Sequence, residues 1–126
     1  MPKYFTDAEL ACKSTGIIKL APKFGEALDR LREMYGKPMV VNSCCRSTKH
    51  NVAIGGSPRS LHVYDTPFYK TGGACAIDIK MFNAHEASKL AMLALNAGWS
   101  VGVNEAFLHL DCRTICAGLP QSLFTY

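Results

Sequence analysis

The sequence contains no long apolar run. Hydrophobic residues make up 48% of its 126 residues, yet no stretch approaches the roughly 20 apolar residues that a membrane-spanning helix needs. The segment from Met1 to Asp7 also lacks the apolar core of a secretory signal. We therefore expect a protein made in a cytoplasm without a signal peptide and without membrane insertion.

The sequence also lacks Cys-x-x-Cys motifs and continuous runs of basic residues. The six cysteines include no Cys-x-x-Cys motif, which argues against a zinc site built from cysteine. Cys44 and Cys45 are adjacent, an arrangement that disfavours a disulfide between them, and a cytoplasmic origin favours free thiols. The net charge is +4, but the lysines and arginines are scattered. This pattern argues against a nucleic-acid partner.

Length and composition indicate one folded domain over residues 1–126. Only 19% of the residues are charged, so the chain has enough apolar surface to fold around one core. Thr6 and Glu9 have the spacing of a capping box and predict a short helix to about Lys13. A second helix is predicted from Pro22, at its first turn, to Tyr35, before Gly36.

The rest of the chain alternates between strand and helix signals. We predict strands at Met39–Val41 and Ala74–Ile79, a polar loop at Ser43–Arg59, a helix between Asn83 and Gly98, and a hairpin with arms Trp99–Val103 and Phe107–Asp111. The tail from Thr114 to Tyr126 has no clear periodicity. The predicted class is α+β, with a small antiparallel sheet packed against helices.

Two histidines and a carboxylate suggest a metal site. His62, Asp78 and His109 can together hold zinc and leave a fourth position open for water, as a catalytic zinc requires. Small residues at Ala74 and Ala76 share a strand face with Asp78 and would leave room for a metal and a substrate. Asp65 is a rival ligand. A histidine on a half-apolar strand is, however, more often a packed core residue than a ligand.

Several short motifs in a fixed order carry a family resemblance. They are Ser43-Cys44-Cys45-Arg46, Asn51, Gly55-Gly56, Ser60-Leu61-His62, Ala76-Ile77-Asp78-Ile79 and His109-Leu110-Asp111. In this order they resemble the zinc D-alanyl-D-alanine peptidases, whose Hedgehog/DD-peptidase fold is shared with Hedgehog signalling domains. Tyr4-Phe5-Thr6 and Gly36-Lys37-Pro38 also look like segments of small phage-type members.

The resemblance implies a set of roles. His62, Asp78 and His109 would be the zinc ligands, Arg46 would steady the substrate carbonyl as it becomes an oxyanion, and Ser60 would orient loop or ligand groups. The implied activity is zinc-dependent hydrolysis of peptidoglycan stem peptides, as a D-Ala-D-Ala carboxypeptidase or an endopeptidase. A phage endolysin or virion component would act on the cell wall after release from the host cytoplasm. We expect it to be a monomer.

The sequence also departs from the family pattern. His62 and Asp78 are 16 positions apart, farther than is usual in the family, and the extra residues fall around Tyr64–Gly72. We expect this insertion to line the cleft, with Tyr64 contacting substrate, and His50 lies in the Arg46 loop where it too can contact substrate.

The general base is a second departure. Many relatives carry an acid three residues before the last histidine, where this chain has Ala106. Glu105 is the preferred replacement, because it would share a strand face with His109, and Asp111 is the alternative. The missing acid keeps two other functions open. One is a non-catalytic cell-wall-binding domain, and the other is a structural virion domain in which metal only stabilises the fold.

Overall fold

A computed structural model describes residues 2–126 and contains five helices and five strands. In chain order they are α1 (Asp7–Leu10), α2 (Phe24–Tyr35), β1 (Val41–Ser43), α3 (Thr48–Ala53), β2 (Ala76–Lys80), α4 (Ala84–Asn96), β3 (Ser100–Val103), β4 (Phe107–Asp111), α5 (Arg113–Ala117) and β5 (Leu123–Thr125). The predicted α+β class is confirmed.

Local capping signals explain where α1 begins and where α2 ends. α2 itself begins at Phe24, two residues after the predicted Pro22, and Lys23 before it gives no side-chain cap. The Thr6 hydroxyl accepts from the Glu9 amide, and the Glu9 carboxylate accepts from the Thr6 amide at 2.8 Å, which completes the capping box. α1 nevertheless ends at Leu10, three residues before the predicted Lys13. α2 ends at Gly36, whose left-handed backbone (φ 72°) lets its amide donate to the Arg32 carbonyl.

The sheet places β2 and β4 at its centre. The strand order is β1-β2-β4-β3-β5, and the first four strands pair antiparallel. β5 pairs parallel to β3, so the sheet is mixed. The sequence predicted only antiparallel strands and did not include β5. β1 also begins at Val41, two residues later than predicted.

The two faces of the sheet differ in character. Ile77, Ile79, Leu108 and Leu110 are fully or almost fully buried in the hydrophobic core. Because side chains alternate along a strand, Asp78 and His109 project from the opposite face. In the register of β2 with β4, Asp78 stands directly opposite His109. The sheet thus holds two chemically active side chains together on the face that the helix-packed core leaves free.

Helices cover the apolar face. α2 and α4 pack on each other and α4 packs on β3 and β4, while the Phe24 and Trp99 rings meet with their centroids 5.8 Å apart. α4 has 13 residues, and within residues 2–126 no helix has both the length and the hydropathy that crossing a bilayer requires. All six cysteines are free thiols, and all but Cys116 are buried.

Two short helices and β5 were absent from the sequence prediction. α3 lies inside the predicted Ser43–Arg59 loop and is capped by Ser47, whose hydroxyl accepts from the His50 amide at 3.0 Å. Its apolar residue Val52 is 72% exposed, so the segment has no buried apolar stripe to indicate a helix. α5 and β5, in the tail, are only five and three residues long.

We predict that Gly73→Ala destabilises the fold strongly. Gly73 has a φ of 157°, and a Cβ there would lie 2.5 Å from the Leu20 carbonyl carbon, a backbone atom that cannot turn aside. The expected loss in free energy of unfolding is about 2 kcal/mol or more, measured by denaturant titration. Gly16→Ala is the matched control, since Gly16 also has a positive φ but open space around it. Equal losses in the two variants would contradict the close-packing argument.

Candidate metal centre and active-site cleft

Three predicted ligands meet at one point of the structure. The Asp78 Oδ1 atom lies 3.1 Å from His62 Nε2 and 3.1 Å from His109 Nδ1. Asp78 comes from β2 and His109 from β4, whereas His62 comes from the loop that precedes β2. All three side chains are buried. Their ligand atoms lie within 4.8 Å of one another, an arrangement that could hold a metal ion.

The geometry and donor types fit zinc. Zinc binds imidazole nitrogen and carboxylate oxygen at about 2.0–2.2 Å in a tetrahedral arrangement. At those bond lengths, neighbouring ligand atoms stand about 3.3 Å apart, close to the 3.1 Å separations seen here. Three protein ligands would leave the fourth position for water or substrate. His62, Asp78 and His109 are therefore the residues that would hold the ion.

The His62 ring is oriented from behind by the backbone. Its Nδ1 atom lies 2.7 Å from the Cys44 carbonyl oxygen, so Nδ1 carries the proton when it donates to this acceptor and Nε2 is left to face Asp78. The Ser60 hydroxyl accepts from the His62 amide at 3.2 Å. The Arg46 amide donates to the His62 carbonyl at 2.9 Å. The loop that carries His62 is thereby fixed to the segment after β1.

His109 is oriented by a buried carboxylate. Its Nε2 atom lies 2.7 Å from Asp111 Oδ2, and Asp111 is completely buried. Arg113 donates to the same carboxylate, with Nη2 2.8 Å from Oδ2 and Nε 3.0 Å from Oδ1. Both oxygens of Asp111 are therefore engaged. This arrangement suits a residue that holds a ligand imidazole in place.

The pKa values follow from this network. Burial opposes the charged form of Asp78, but hydrogen bonds from His109 and His62 outweigh it and hold the pKa of Asp78 well below its usual value. Burial lowers the pKa of His62. Burial also opposes protonation of His109, yet Asp111 and Asp78 outweigh it and raise the pKa of that imidazole. The site thus keeps Asp78 ionised, as a metal ligand must be.

Arg46 reaches the same carboxylate from the other side. Its Nη2 atom lies 3.3 Å from Asp78 Oδ2, while Nε donates to Ser43 Oγ at 3.1 Å and Nη1 donates to Asn51 Oδ1 at 3.3 Å. Asn51 is buried, and its Nδ2 atom donates to the Ser57 carbonyl at 2.8 Å. A Cβ on Gly56 would lie 2.0 Å from Asn51 Oδ1. Gly56 is therefore needed for Asn51 to reach Arg46.

The ligands open onto a cleft of about 520 Å³. Besides the ligands, its lining comprises Arg46, Gly55, Gly56, Ser57, Arg59, Ser60, Leu61, Tyr69, Phe107, Arg113, Leu119, Phe124 and Tyr126. Three arginines therefore line it, against the single carboxylate of Asp78, among residues 2–126. The cleft is positive and part aromatic, and it includes Arg46 and Ser60 as the sequence predicted.

Glu105 does not lie in this cleft. The residue is exposed in the turn between β3 and β4 and lines a separate groove with Leu108 and Ala84. The expectation that Glu105 shares a face with His109 assumed a regular strand, but β4 begins only at Phe107. In the turn, the Ala106 amide donates to Asn104 Oδ1 and the Met81 amide donates to the Ala106 carbonyl. The structure therefore does not bring the preferred general base to the metal ligands.

Three other predicted residues also lie outside the cleft lining. Tyr64 is buried in the core, and its hydroxyl lies 2.9 Å from the Thr15 hydroxyl. Asp65, the rival ligand, accepts from the amide and the hydroxyl of Thr48 at the start of α3. His50 lies on α3 and is absent from the lining. From the insertion, Tyr69 is the residue that lines the cleft.

Sequence reasoning missed several residues of the site. Asn51 and Gly56 were recognised as motif residues without a role, and their contacts with each other and Arg46 supply one. Arg113 likewise belongs to the motif His109-Leu110-Asp111-Cys112-Arg113, and its salt bridge with Asp111 gives it a role. Phe124 and Tyr126 lie in the tail without periodicity, and only their tertiary contacts reveal them.

We predict that Asp111→Asn weakens zinc binding while Glu105→Gln leaves it unchanged. Loss of the charge that orients a ligand imidazole typically lowers metal affinity by about 10-fold to 100-fold. Glu105 is exposed and lines another groove, so its variant serves as the matched control. Competition with a chromogenic chelator measures both affinities. An unchanged affinity in Asp111→Asn would show that the orientation of His109 does not depend on the charge of Asp111.

Comparison with known proteins identifies the family. Residues 3–111 match the family model described as peptidase M15. Comparisons with curated proteins and with solved structures found no match. The matched region contains all three metal-ligand candidates, Arg46 and Asp111, and it covers most of the 126 residues. The protein belongs to the M15 family of zinc D-alanyl-D-alanine peptidases, as its motifs predicted.

Proposed function

We propose that this protein is a zinc-dependent peptidase that hydrolyses peptidoglycan stem peptides. The observation that carries the proposal is the buried group of His62, Asp78 and His109, which opens onto a positive cleft. Membership of the M15 family supports the peptidase class. Both D-Ala-D-Ala carboxypeptidase and endopeptidase action belong to this proposal.

Each residue of the site has a distinct part in the mechanism. His62, Asp78 and His109 would hold the ion, which when bound supplies Lewis-acid chemistry and a water of pKa about 7. Asp111 keeps the His109 ring turned so that Nδ1 faces the site. Arg46 places its guanidinium at the cleft wall, where it can donate to a substrate carbonyl oxygen as that oxygen gains negative charge.

The charge of the cleft supports an acidic peptide as the substrate. Arg46, Arg59 and Arg113 line it. Arg113 already binds Asp111 and Arg46 already reaches Asp78, so Arg59 is the arginine whose planar fork of donors is best placed to pair with a substrate carboxylate. A stem peptide ending in D-Ala-D-Ala carries a terminal carboxylate that suits such a lining. Action on the wall agrees with a phage lysis or virion protein that works as a monomer after release from the host cytoplasm. Peptidoglycan, and not nucleic acid, is the proposed partner.

One observation favours a second candidate, a non-catalytic wall-binding domain. Among residues 2–126, Asp78 is the only carboxylate that lines the cleft, and it is used as a ligand. Asp111 is engaged by His109 and Arg113, and Glu105 lies elsewhere. A peptidase usually places a carboxylate near the water to accept its proton. Such a domain would bind the wall without turnover.

The decisive experiment is a hydrolysis assay with the zinc-loaded protein. We expect free D-alanine or shortened stem peptides from purified sacculi and from diacetyl-L-lysyl-D-alanyl-D-alanine, detected by mass spectrometry. EDTA should abolish the activity and zinc should restore it, and His109→Ala should lose metal and activity together. Binding to sacculi without any released product would establish the wall-binding domain instead.

We predict that Arg46→Ala keeps zinc but loses most turnover. Removal of one donor to a developing oxyanion typically costs on the order of 100-fold to 1000-fold in kcat, and the three ligand side chains remain. Arg32→Ala is the matched control, since Arg32 lies over the Tyr4 ring on α2 and not in the cleft. Metal analysis and kcat should be measured on the same preparations. If Arg46→Ala has the kcat of the unaltered protein, Arg46 does not stabilise the oxyanion and only neutralises the charge of Asp78.

A further inference from the structure

β5 brings an aromatic ring against the metal-ligand face of the sheet. Gly102 on β3 pairs with Phe124 on β5, and a Cβ on Gly102 would lie 2.5 Å from the Phe124 ring. Gly102 does not have a positive φ, so its backbone conformation does not require glycine. The close approach of the Phe124 ring does require it. The absence of a side chain at Gly102 thus leaves the space in which the Phe124 ring packs.

The Phe124 ring contacts residues of the candidate metal centre. Its centroid lies 5.6 Å from the centroid of the His109 imidazole. The Arg113 guanidinium, which also binds Asp111, lies 5.3 Å from the same centroid. Phe124 therefore contacts both a ligand histidine and the arginine that binds the carboxylate orienting that histidine.

Tyr126 extends the aromatic surface along the cleft. Its ring centroid lies 5.3 Å from that of Phe107 and 5.8 Å from that of Phe124, and its amide donates to the Val103 carbonyl at 3.2 Å. All three rings line the cleft that contains the ligands. Tyr126 is 66% exposed, so much of its ring is free to contact a ligand. We call Phe107, Phe124 and Tyr126 the aromatic wall.

Side-chain hydrogen bonds anchor the segment that carries this wall. Gln121 Nε2 donates to the Leu95 and Trp99 carbonyls, each at 2.8 Å. The Ser122 amide donates to the hydroxyl of Ser100, a fully buried residue, at 2.9 Å. These contacts fix the start of β5 to α4 and β3. The wall is therefore part of the folded cleft and not a loosely attached tail.

We propose that the aromatic wall is the substrate-binding surface for the D-alanine residues at the scissile bond, with the Tyr126 hydroxyl donating a hydrogen bond to an oxygen of the bound peptide. This inference rests on the proposed function, because it assumes a stem peptide in the cleft. Phe124 and Tyr126 lie beyond residues 3–111, the part that matches the family model. Two of the three rings of the wall therefore come from outside the matched region.

The chemistry of the wall suits small apolar residues with a polar backbone. Phenyl rings bury methyl groups favourably, and a phenol supplies one donor for a peptide oxygen. A tyrosine phenol ordinarily has a pKa of about 10, and the partial burial of Tyr126 raises its pKa further. Its hydroxyl consequently stays protonated, and able to donate, throughout the neutral range.

The test measures binding of an unhydrolysable phosphinate analogue of D-alanyl-D-alanine to the zinc-loaded protein by calorimetry. Tyr126→Phe, which removes only the hydroxyl, should raise Kd about tenfold, because the phosphinate and the terminal carboxylate offer charged oxygens and hydrogen bonds to charged acceptors are strong. Tyr126→Ala should weaken binding further, because it also removes the ring. Thr125→Ala is the matched control, since Thr125 is exposed on the same strand and does not line the cleft. Zinc content and melting temperature are measured for every variant.

The outcomes separate this inference from the proposed function. Hydrolysis by the unaltered protein, with unchanged Kd in Tyr126→Phe and Tyr126→Ala at full zinc content, would overturn the aromatic wall and leave the peptidase standing. Tyr126-dependent binding without hydrolysis of either the tripeptide or sacculi would support the wall and overturn the peptidase. Failure of the unaltered protein to bind the phosphinate would overturn the aromatic wall as a D-alanine surface, while release of peptides from sacculi by the same preparation would leave the peptidase standing.

Discussion

The buried charge of Asp78 is the constraint on which the rest of the site depends. The residue is 5% exposed at the centre of the sheet, where an ionised carboxylate is costly unless it is paired. His62, His109 and Arg46 pair it, and each comes from a different part of the chain. The fold must bring these segments together around one carboxylate. In doing so it assembles a metal site.

Each partner of Asp78 is itself held from behind. A backbone carbonyl holds His62, a carboxylate and an arginine hold His109, and a serine and an asparagine hold Arg46. Among residues 2–126, no buried side-chain nitrogen or oxygen lacks a hydrogen-bond partner. A fully satisfied polar network is rigid, because moving any member leaves another unpaired. This rigidity is what a metal site needs in order to keep its ligand distances.

Features encoded over short distances were predictable from the sequence, and features encoded by tertiary contact were not. Capping residues predicted α1, α2 and α4, and alternation together with family motifs predicted that His62, Asp78 and His109 belong to one site. The expected position of Glu105 failed because the turn interrupts the strand before Phe107. β5 could not be predicted from the sequence, because it depends on a tertiary contact. Phe124 fills the space above Gly102, and this space exists only in the folded chain.

The site divides into a charged part that the sheet fixes and a surrounding wall that loops and edges supply. β2 and β4 carry Asp78, His109 and Asp111, where any change of charge would disturb several buried partners at once. Tyr69 from the insertion and Tyr126 after β5 contact the cleft from the periphery, where substitution breaks no buried ion pair. Substrate choice can therefore change at the periphery while the ligand geometry stays intact. The insertion that departs from the family pattern contributes Tyr69 to that periphery, which is where we expect the substrate preference to be determined.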